Sequence, residues 1–358
     1  MTLLTGDGEL APEVEALSQS VSVATAPLGP YALANFSRRF AHECLSGADA
    51  NDVIHTHGVW LHPNWTSAAA ARRLGKPLVV SPRGMLEPWS LAQSRRRKRL
   101  LWRLVERRSL AEAAFVHATS RAEAENLRQI GVAAPIAVIP NGIDLVEEYQ
   151  TSRIEDLKRP LPGAGNESAE VLFLGRVHPK KGLALLLEAW QQTGPRFPAA
   201  RLMICGPGDS ASIAHLERQI TDLGMPSVQY RGAVSGVEKI GLLARASVLV
   251  LPSLSENYGI VVAEALAAET PVITTTETPW SALGQNDCGW SIRPEVPALI
   301  AALEEALSTR SAERRAMGRR GRALIEREHS LERVGRMMAR TYAWVLGRSE
   351  RPEWVGEA

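Results

Sequence analysis

The stretch Leu251-Pro-Ser-Leu-Ser-Glu256-Asn257-Tyr258-Gly259-Ile260-Val261-Val-Ala-Glu264-Ala-Leu266 decides how the chain folds and where its chemistry lies. The apolar run Val248 to Leu251 predicts a strand, the polar residues after it a turn, and Tyr258 to Ala268 a helix. Glu256 precedes that helix and Glu264 lies about five residues into it, roughly 7 to 8 Å along the axis at 1.5 Å per residue. Between them, the first N–H groups of the helix, around Asn257, Tyr258, Gly259, Ile260 and Val261, point outward and attract anions. One acid beside an anion site and a second deeper along the helix suit a ligand with hydroxyls at both ends and phosphate in the middle. A nucleotide diphosphate sugar has that form.

The rest of the chain sets the frame. With 358 residues it exceeds the size at which one core stops growing, which predicts two domains. Apolar content of 45% and charged content of 22% exclude a disordered chain. Cys44, Cys205 and Cys288 are far apart with no C-x-x-C pair, so they read as small buried hydrophobes in a reducing compartment rather than a disulfide framework or zinc site. No apolar run approaches the roughly 20 residues that span a bilayer, and the N-terminus has no basic-then-apolar leader; a cytoplasmic protein is expected. A net charge of +2 is too small to imply nucleic acid as a partner.

Short β-branched runs at Asp52 to Gly58, Pro77 to Ser81, Phe115 to Thr119 and Ile136 to Pro140 alternate with helical stretches at Ser67 to Leu74, Leu91 to Ala113 and Arg121 to Ile130. That alternation predicts a parallel sheet wrapped by helices. The polar, Pro- and Gly-containing segment Glu147 to Ser168 reads as a linker. Strands from Val171 and helices from Gly182 then repeat the scheme. The predicted domains are 1–155, 156–330 and a last helix within 331–358, apolar at Leu331, Val334, Met337, Met338, Tyr342 and Val345. The opening Thr-Leu-Leu-Thr-Gly-Asp-Gly lacks the strand, Gly-rich turn and helix that start a doubly wound domain. Either the start codon is placed late or the protein is naturally truncated.

Gly175-Arg176-Val-His-Pro-Lys180-Lys181-Gly182 follows a buried strand and precedes a helix, placing cations at the carboxyl edge where open α/β sheets bind ligands. Arg176 can grip two phosphate oxygens and Lys181 adds a point charge. Gly206 and Gly208 sit at the same edge one strand later, and Arg231-Gly-Ala-Val234 one strand beyond that. No Asp-x-Asp occurs for holding a divalent ion, and no G-x-G-x-x-G follows a predicted strand, which disfavours a Rossmann oxidoreductase.

Glu256 and Glu264 with seven residues between them, together with Gly175-Arg176-x4-Lys181-Gly182, resemble the EX7E and phosphate motifs of retaining GT-B glycosyltransferases of family 4, glycosyltransferase group 1. The resemblance implies a GT-B fold, with two Rossmann-like domains facing across a cleft, a final helix crossing back to the N-terminal domain, and an N-terminal domain without its first strand. It also implies that Glu256 touches the donor sugar, Glu264 takes the ribose hydroxyls, Arg176 and Lys181 stabilise the leaving diphosphate, and Gly206, Gly208 and Val234 lie beside the nucleotide. Front-face transfer with retention from a UDP-, GDP- or ADP-sugar, with no metal and no cofactor, would follow.

In the N-terminal half, His55, His57 and His62 are spaced by two and five with no carboxylate or Cys nearby, a poor zinc pattern; His57 is expected to contact acceptor or sugar. Arg83, in Ser-Pro-Arg83-Gly-Met-Leu-Glu-Pro-Trp, stands where many members of this family have a His. It stays protonated, so it suits donor phosphate or an acidic acceptor group, and the surrounding pattern resembles a variant among exopolysaccharide and lipopolysaccharide transferases. Arg95 to Arg108 interleaves cations with Leu100, Leu101, Trp102, Leu104 and Val105, which suits either a docked helix with a solvated basic face or an anionic membrane surface. The expected function is sugar transfer to a glycan or lipid-linked acceptor; the alternative is a truncated, inactive GT-B scaffold.

Overall fold

The computed structural model describes residues 1–6, 21–30, 35–145, 149, 154, 157 and 169–356. The chain divides into two units: Met1–Pro140 with Arg336–Ala358, and Asn141–Gly335.

The first unit holds a five-stranded sheet. Its strands are β3 (Ile54–His57), β4 (Leu78–Ser81), β5 (Phe115–Ala118), β6 (Ile136–Val138) and β13 (Val355–Gly356), in the order β13-β6-β5-β4-β3. β3 to β6 are parallel, and β13 is antiparallel to β6. β4 and β5 are buried along their whole length, as expected of strands with helices on both faces. β1 (Thr2–Gly6) and β2 (Ser22–Ala26) pair in parallel as a separate two-stranded sheet.

The helix expected over 91–113 is broken. Pro88–Ala92 is one short helix and Arg95–Leu101 another, followed by a π-helical turn at Trp102–Glu106 and a last helix at Arg107–Ala111. The break falls at Ser94, whose φ of 53° is left-handed. A helix at Arg38–Asp49, capped by the Ser37 side chain, was not expected from the sequence, and the helix expected from Ser67 begins at His62.

The second unit is a six-stranded parallel sheet of β7 (Glu170–Leu174), β8 (Arg201–Cys205), β9 (Val228–Gly232), β10 (Val248–Leu251), β11 (Val272–Thr275) and β12 (Gly289–Ile292), in the order β12-β11-β10-β7-β8-β9. The chain runs one way from β7 to β9 and the other way from β10 to β12. The order therefore reverses between β7 and β10, and open α/β sheets bind ligands at the carboxyl ends beside such a reversal.

By contacts, the two units meet at Pro140/Asn141. Ile143 N–H donates to the His329 carbonyl at 2.8 Å, and Tyr149 and Ile154 are buried in the second core, which ties this segment to the second unit. The expected linker, 147–168, lies outside the described residues apart from Tyr149, Ile154 and Leu157. The last long helix, Leu331–Val345, starts in the second unit, and from Arg336 onward the chain is counted with the first. Among the described residues no helix is long and apolar enough to cross a membrane, and all three cysteines are free and buried.

Candidate active site

In the second unit the reversal of strand order brings together residues far apart in sequence. β7 lies between β10 and β8, so Gly175 and Arg176, Gly206, and the turn Pro252 to Glu256 leave neighbouring strand ends. After β7 the chain makes a 3-10 turn, Pro179–Lys181, in which the His178 ring accepts from Lys180 N–H at 3.1 Å. The turn is fastened to the segment after β10 by Leu254 N–H on the Lys180 carbonyl at 2.8 Å.

Lys181 is thereby delivered to Glu256. Lys181 Nζ lies 2.5 Å from Glu256 Oε2, and Ser253 Oγ donates to the same oxygen at 3.2 Å. Both charged side chains are about 15% exposed, so solvent screens them less than a surface pair. Arg176, at the end of β7, is exposed.

Gly259 sets the helix that follows. Its φ of 75° is left-handed, and a Cβ there would come within 3.2 Å of Glu256 Cγ, so glycine gives both the turn and the room for the carboxylate. The helix consequently starts at Ile260, not at Tyr258 as expected, and ends at Ala267. Glu264 is its fifth residue; Lys239 Nζ, from the helix Gly236–Arg245, meets Glu264 Oε1 at 2.8 Å.

The remaining donor-side residues divide by exposure. Asn257 is half-buried, Ile260 is exposed and Val261 is buried. Tyr258 is buried, with its hydroxyl donating either to the Asn141 carbonyl at 2.9 Å or to His329 Nδ1 at 2.8 Å and its carbonyl accepting from Trp280 Nε1. Its side chain is part of the core, which leaves only its backbone to face a ligand. Gly206 fits against Gly175: a Cβ on Gly206 would lie 1.9 Å from the Gly175 carbonyl oxygen. Its smallness is required by the neighbouring turn, whereas Gly208 is exposed and Val234 half-buried.

The first unit builds a different kind of site at the ends of β3 and β4. The Ile139 carbonyl can only accept, so His117 Nε2, 2.7 Å away, carries the proton. His117 Nδ1 then accepts from Ser81 Oγ at 2.8 Å, Ser81 Oγ accepts from His55 Nε2 at 2.6 Å, and His55 Nδ1 accepts from the Tyr342 hydroxyl at 2.5 Å. One terminal carbonyl thus fixes every tautomer in the relay. The rings stay neutral. Burial first, and then the charges of neighbouring groups, lowers the His55 pKa to about 2, and burial lowers that of His117 to about 4. Burial likewise raises the Tyr342 hydroxyl to about 12.

His57 stacks on His55 with ring centroids 4.4 Å apart. Its Nδ1 accepts from Arg83 Nε at 3.2 Å and lies 3.1 Å from Arg83 Nη2, which leaves the proton on Nε2. Packing of its inner edge, and then the Arg83 charge, lowers its pKa to about 4. Arg83 has a φ of 56°, a conformation that costs about 1–3 kcal/mol outside glycine. The loop is held by Glu123, which accepts from Gly84 N–H and Thr119 N–H, each at 2.7 Å. His57 and Arg83 are therefore presented as hydrogen-bond donors, not as a base.

Sequence reading found Lys181, Glu256 and Glu264 but missed Lys239, the partner of Glu264. It also missed Ser81, His117 and Tyr342 of the relay, and Glu123. A Lys at the polar edge of an amphipathic helix and a Tyr 287 residues from its His partner leave no local signal.

Comparison with known proteins fits this geometry. Residues 155–324 match the family model for glycosyl transferases group 1, and residues 1–142 match that for a glycosyl transferase 4-like domain. The phosphatidyl-myo-inositol mannosyltransferase of Mycobacterium tuberculosis (strain CDC 1551 / Oshkosh) is 32% identical over 139 residues, 38% of this chain and 34% of that protein. The D-inositol 3-phosphate glycosyltransferase of Paenarthrobacter aurescens (strain TC1) is 32% identical over 240 residues, 63% of this chain and 56% of that protein. The chain thus spans about a third to a half of the length of these relatives. Among solved structures, Anabaena HepE in complex with UDP-glucose superposes with a TM-score of 0.76 at 20% identity, covering 95% of this chain and 91% of that one. Sucrose-phosphate synthase from Thermosynechococcus elongatus gives 0.72 at 22% identity, covering 91% and 84%. These likenesses establish the GT-B fold. The alternative of an inactive scaffold finds no support, since both halves match glycosyltransferase models. The second half of the chain, residues 155–324, thus resembles the group 1 glycosyltransferases, and the first, residues 1–142, a glycosyl transferase 4-like domain.

Proposed function

We propose that the protein transfers a sugar, with retention and without a metal, from a nucleotide diphosphate sugar to a glycan or lipid-linked acceptor in cell-surface polysaccharide synthesis. The observation that carries this reading is the Lys181–Glu256 pair at the strand-order reversal, beside Arg176 and the helix start at Gly259. Arg176, Lys181 and the N–H groups from Gly259 to Val261 hold the diphosphate; Glu256 accepts from a sugar hydroxyl, and Glu264 from the ribose. In the reaction, the bond from the anomeric carbon to the phosphate oxygen breaks while a bond to the acceptor oxygen forms on the same face. The acceptor proton passes to the departing phosphate oxygen. Fixed cations and helix N–H groups stabilise the charge that develops there.

His57 and Arg83 of the first unit suit hydroxyls or an acidic group on the sugar or acceptor, since both donate and neither can act as a nucleophile. The names of the relatives, a mannosyltransferase and an inositol phosphate glycosyltransferase, and the UDP-glucose in HepE support a nucleotide-sugar donor.

A panel of UDP-, GDP- and ADP-sugars, scored by thermal stabilisation and nucleotide diphosphate release with and without EDTA, tests the reading. One nucleotide series should stabilise the protein and turn over in EDTA with retained anomeric configuration in the product. Stabilisation by none, turnover that needs a divalent ion, or an inverted product would overturn it.

A further inference from the structure

A second feature lies in the first unit, on the helices that follow the Arg83 loop. The helix Arg95–Leu101, the π-helical turn Trp102–Glu106 and the start of Arg107–Ala111 carry eight cations and one carboxylate, Glu106. Glu106 is buried, accepting from Trp60 N–H and Trp65 Nε1, both at 2.7 Å. The whole chain has a net charge of only +2, so the rest of the molecule is net acidic and the positive charge is concentrated here.

A solvated basic face explains the arginines but not the apolar residues between them. Leu100 is 58% and Leu104 67% exposed, four residues apart and thus neighbours on one face, with Arg96, Arg97, Arg103 and Arg107 exposed around them. The opposite side, Lys98, Leu101, Trp102, Val105 and Glu106, is half-buried or buried. Beside this helix lies a cavity of about 540 Å³ whose lining includes Trp60, Leu91, Trp102 and Ile130 together with the cations Arg95, Lys98 and Arg99. Lys98 Nζ sits 5.8 Å from the Trp60 ring centroid and bonds the Ser90 hydroxyl at 3.2 Å. A lining of aromatic and aliphatic side chains with three cations suits an acyl chain and the phosphate it is attached to.

We propose that this face seats on an anionic lipid bilayer, Leu100 and Leu104 entering the interface, the arginines meeting lipid phosphates, and one acyl chain lying between Trp60 and Trp102. Apolar insertion and charge attraction then act together. The surface shares no residue with the donor site of the second unit, so lipid binding and nucleotide-sugar binding can fail separately.

Flotation of the full chain with vesicles tests the proposal, using phosphatidylcholine alone or with roughly one third phosphatidylglycerol. Binding should require the anionic lipid and weaken at high salt. Arg96→Glu with Arg97→Glu and Arg103→Glu should weaken partitioning at least about tenfold, and Leu100→Glu with Leu104→Glu should also reduce it. Stabilisation by nucleotide sugar should be unchanged, showing that the variants fold. For the groove, lipid brominated along the acyl chain should quench tryptophan fluorescence, and Trp102→Phe should lose part of that quenching. No flotation, equal binding to neutral vesicles, displacement by RNA homopolymer, or quenching indifferent to Trp102→Phe would overturn the proposal.

Discussion

The two units solve the same task, holding polar groups at the ends of parallel strands, in opposite ways. The second uses formal charge in pairs, Lys181 with Glu256 and Lys239 with Glu264. The first uses neutral rings in a one-way hydrogen-bond relay from Tyr342 to the Ile139 carbonyl, with Arg83 as the charge beside it. The difference lies in what each can exchange. A lysine can leave a carboxylate for a phosphate when the ligand also brings a hydroxyl that the released carboxylate can accept from. A buried relay cannot release a member without stranding the next one, and stranded buried groups cost about 1–3 kcal/mol. The second unit is thus equipped to rearrange around a ligand, and the first to present a fixed template.

The contrast is easiest to break at the charged pair. Lys181→Ala or Glu256→Ala should reduce turnover by about 10²–10³-fold or more, the scale of losing a stabilising group for developing charge, while circular dichroism shows the fold intact. Full activity in either variant would remove the pair from the site.

The relay should respond in stability instead. Ser81→Ala strands His55 Nε2–H and His117 Nδ1 together and should lower unfolding free energy by about 1–3 kcal/mol, whereas Tyr342→Phe removes one terminal donor and should cost about 1 kcal/mol. Urea denaturation reads both. A larger loss for Tyr342→Phe would mean that the bonds do not run in the deduced direction.

The third contrast is the response to acid. His55, His57 and His117 in the first unit and His329 in the second have pKa values lowered in the fold, to about 2, 4, 4 and 4. Between the ordinary histidine value of about 6.5 and these lower values, the unfolded chain binds more protons. Stability therefore falls as pH falls through that window and is regained as pH rises. Hydrogen exchange at pH 7 and pH 5 should show amides of β3 and β5 losing protection more than those of β7 and β10; an even loss would contradict the uneven placement of the histidines.

How much of this could be read from the sequence follows from how local each cause is. Lys181 and Glu256 each sit just after an apolar run, at a strand end, and their surroundings advertise the site even though 75 residues separate them. The strand pattern likewise exposed both parallel sheets. Lys239 was invisible because its helix could have placed it against solvent equally well. The break at Ser94 has no Gly or Pro to mark it, and the shift of the helix start from Tyr258 to Ile260 depends on the conformation of Gly259. The relay was hidden for a stronger reason: Tyr342 reaches His55 only once the sheet of the first unit and the final helix have been assembled.

That assembly has a temporal side. β13 hydrogen-bonds to β6, the Trp354 carbonyl accepts from Val138 N–H at 3.0 Å, and residues from Arg336 onward belong with the first 140. On a ribosome, where chains emerge at about 5–20 residues per second, the sheet of the first unit must wait for residues made after the second unit. The intervening unit is contiguous and can close on its own earlier. Until Val355 is out, β6 carries an unpaired edge, open to pairing with other chains, so the newborn chain is most exposed to misassembly at the first unit.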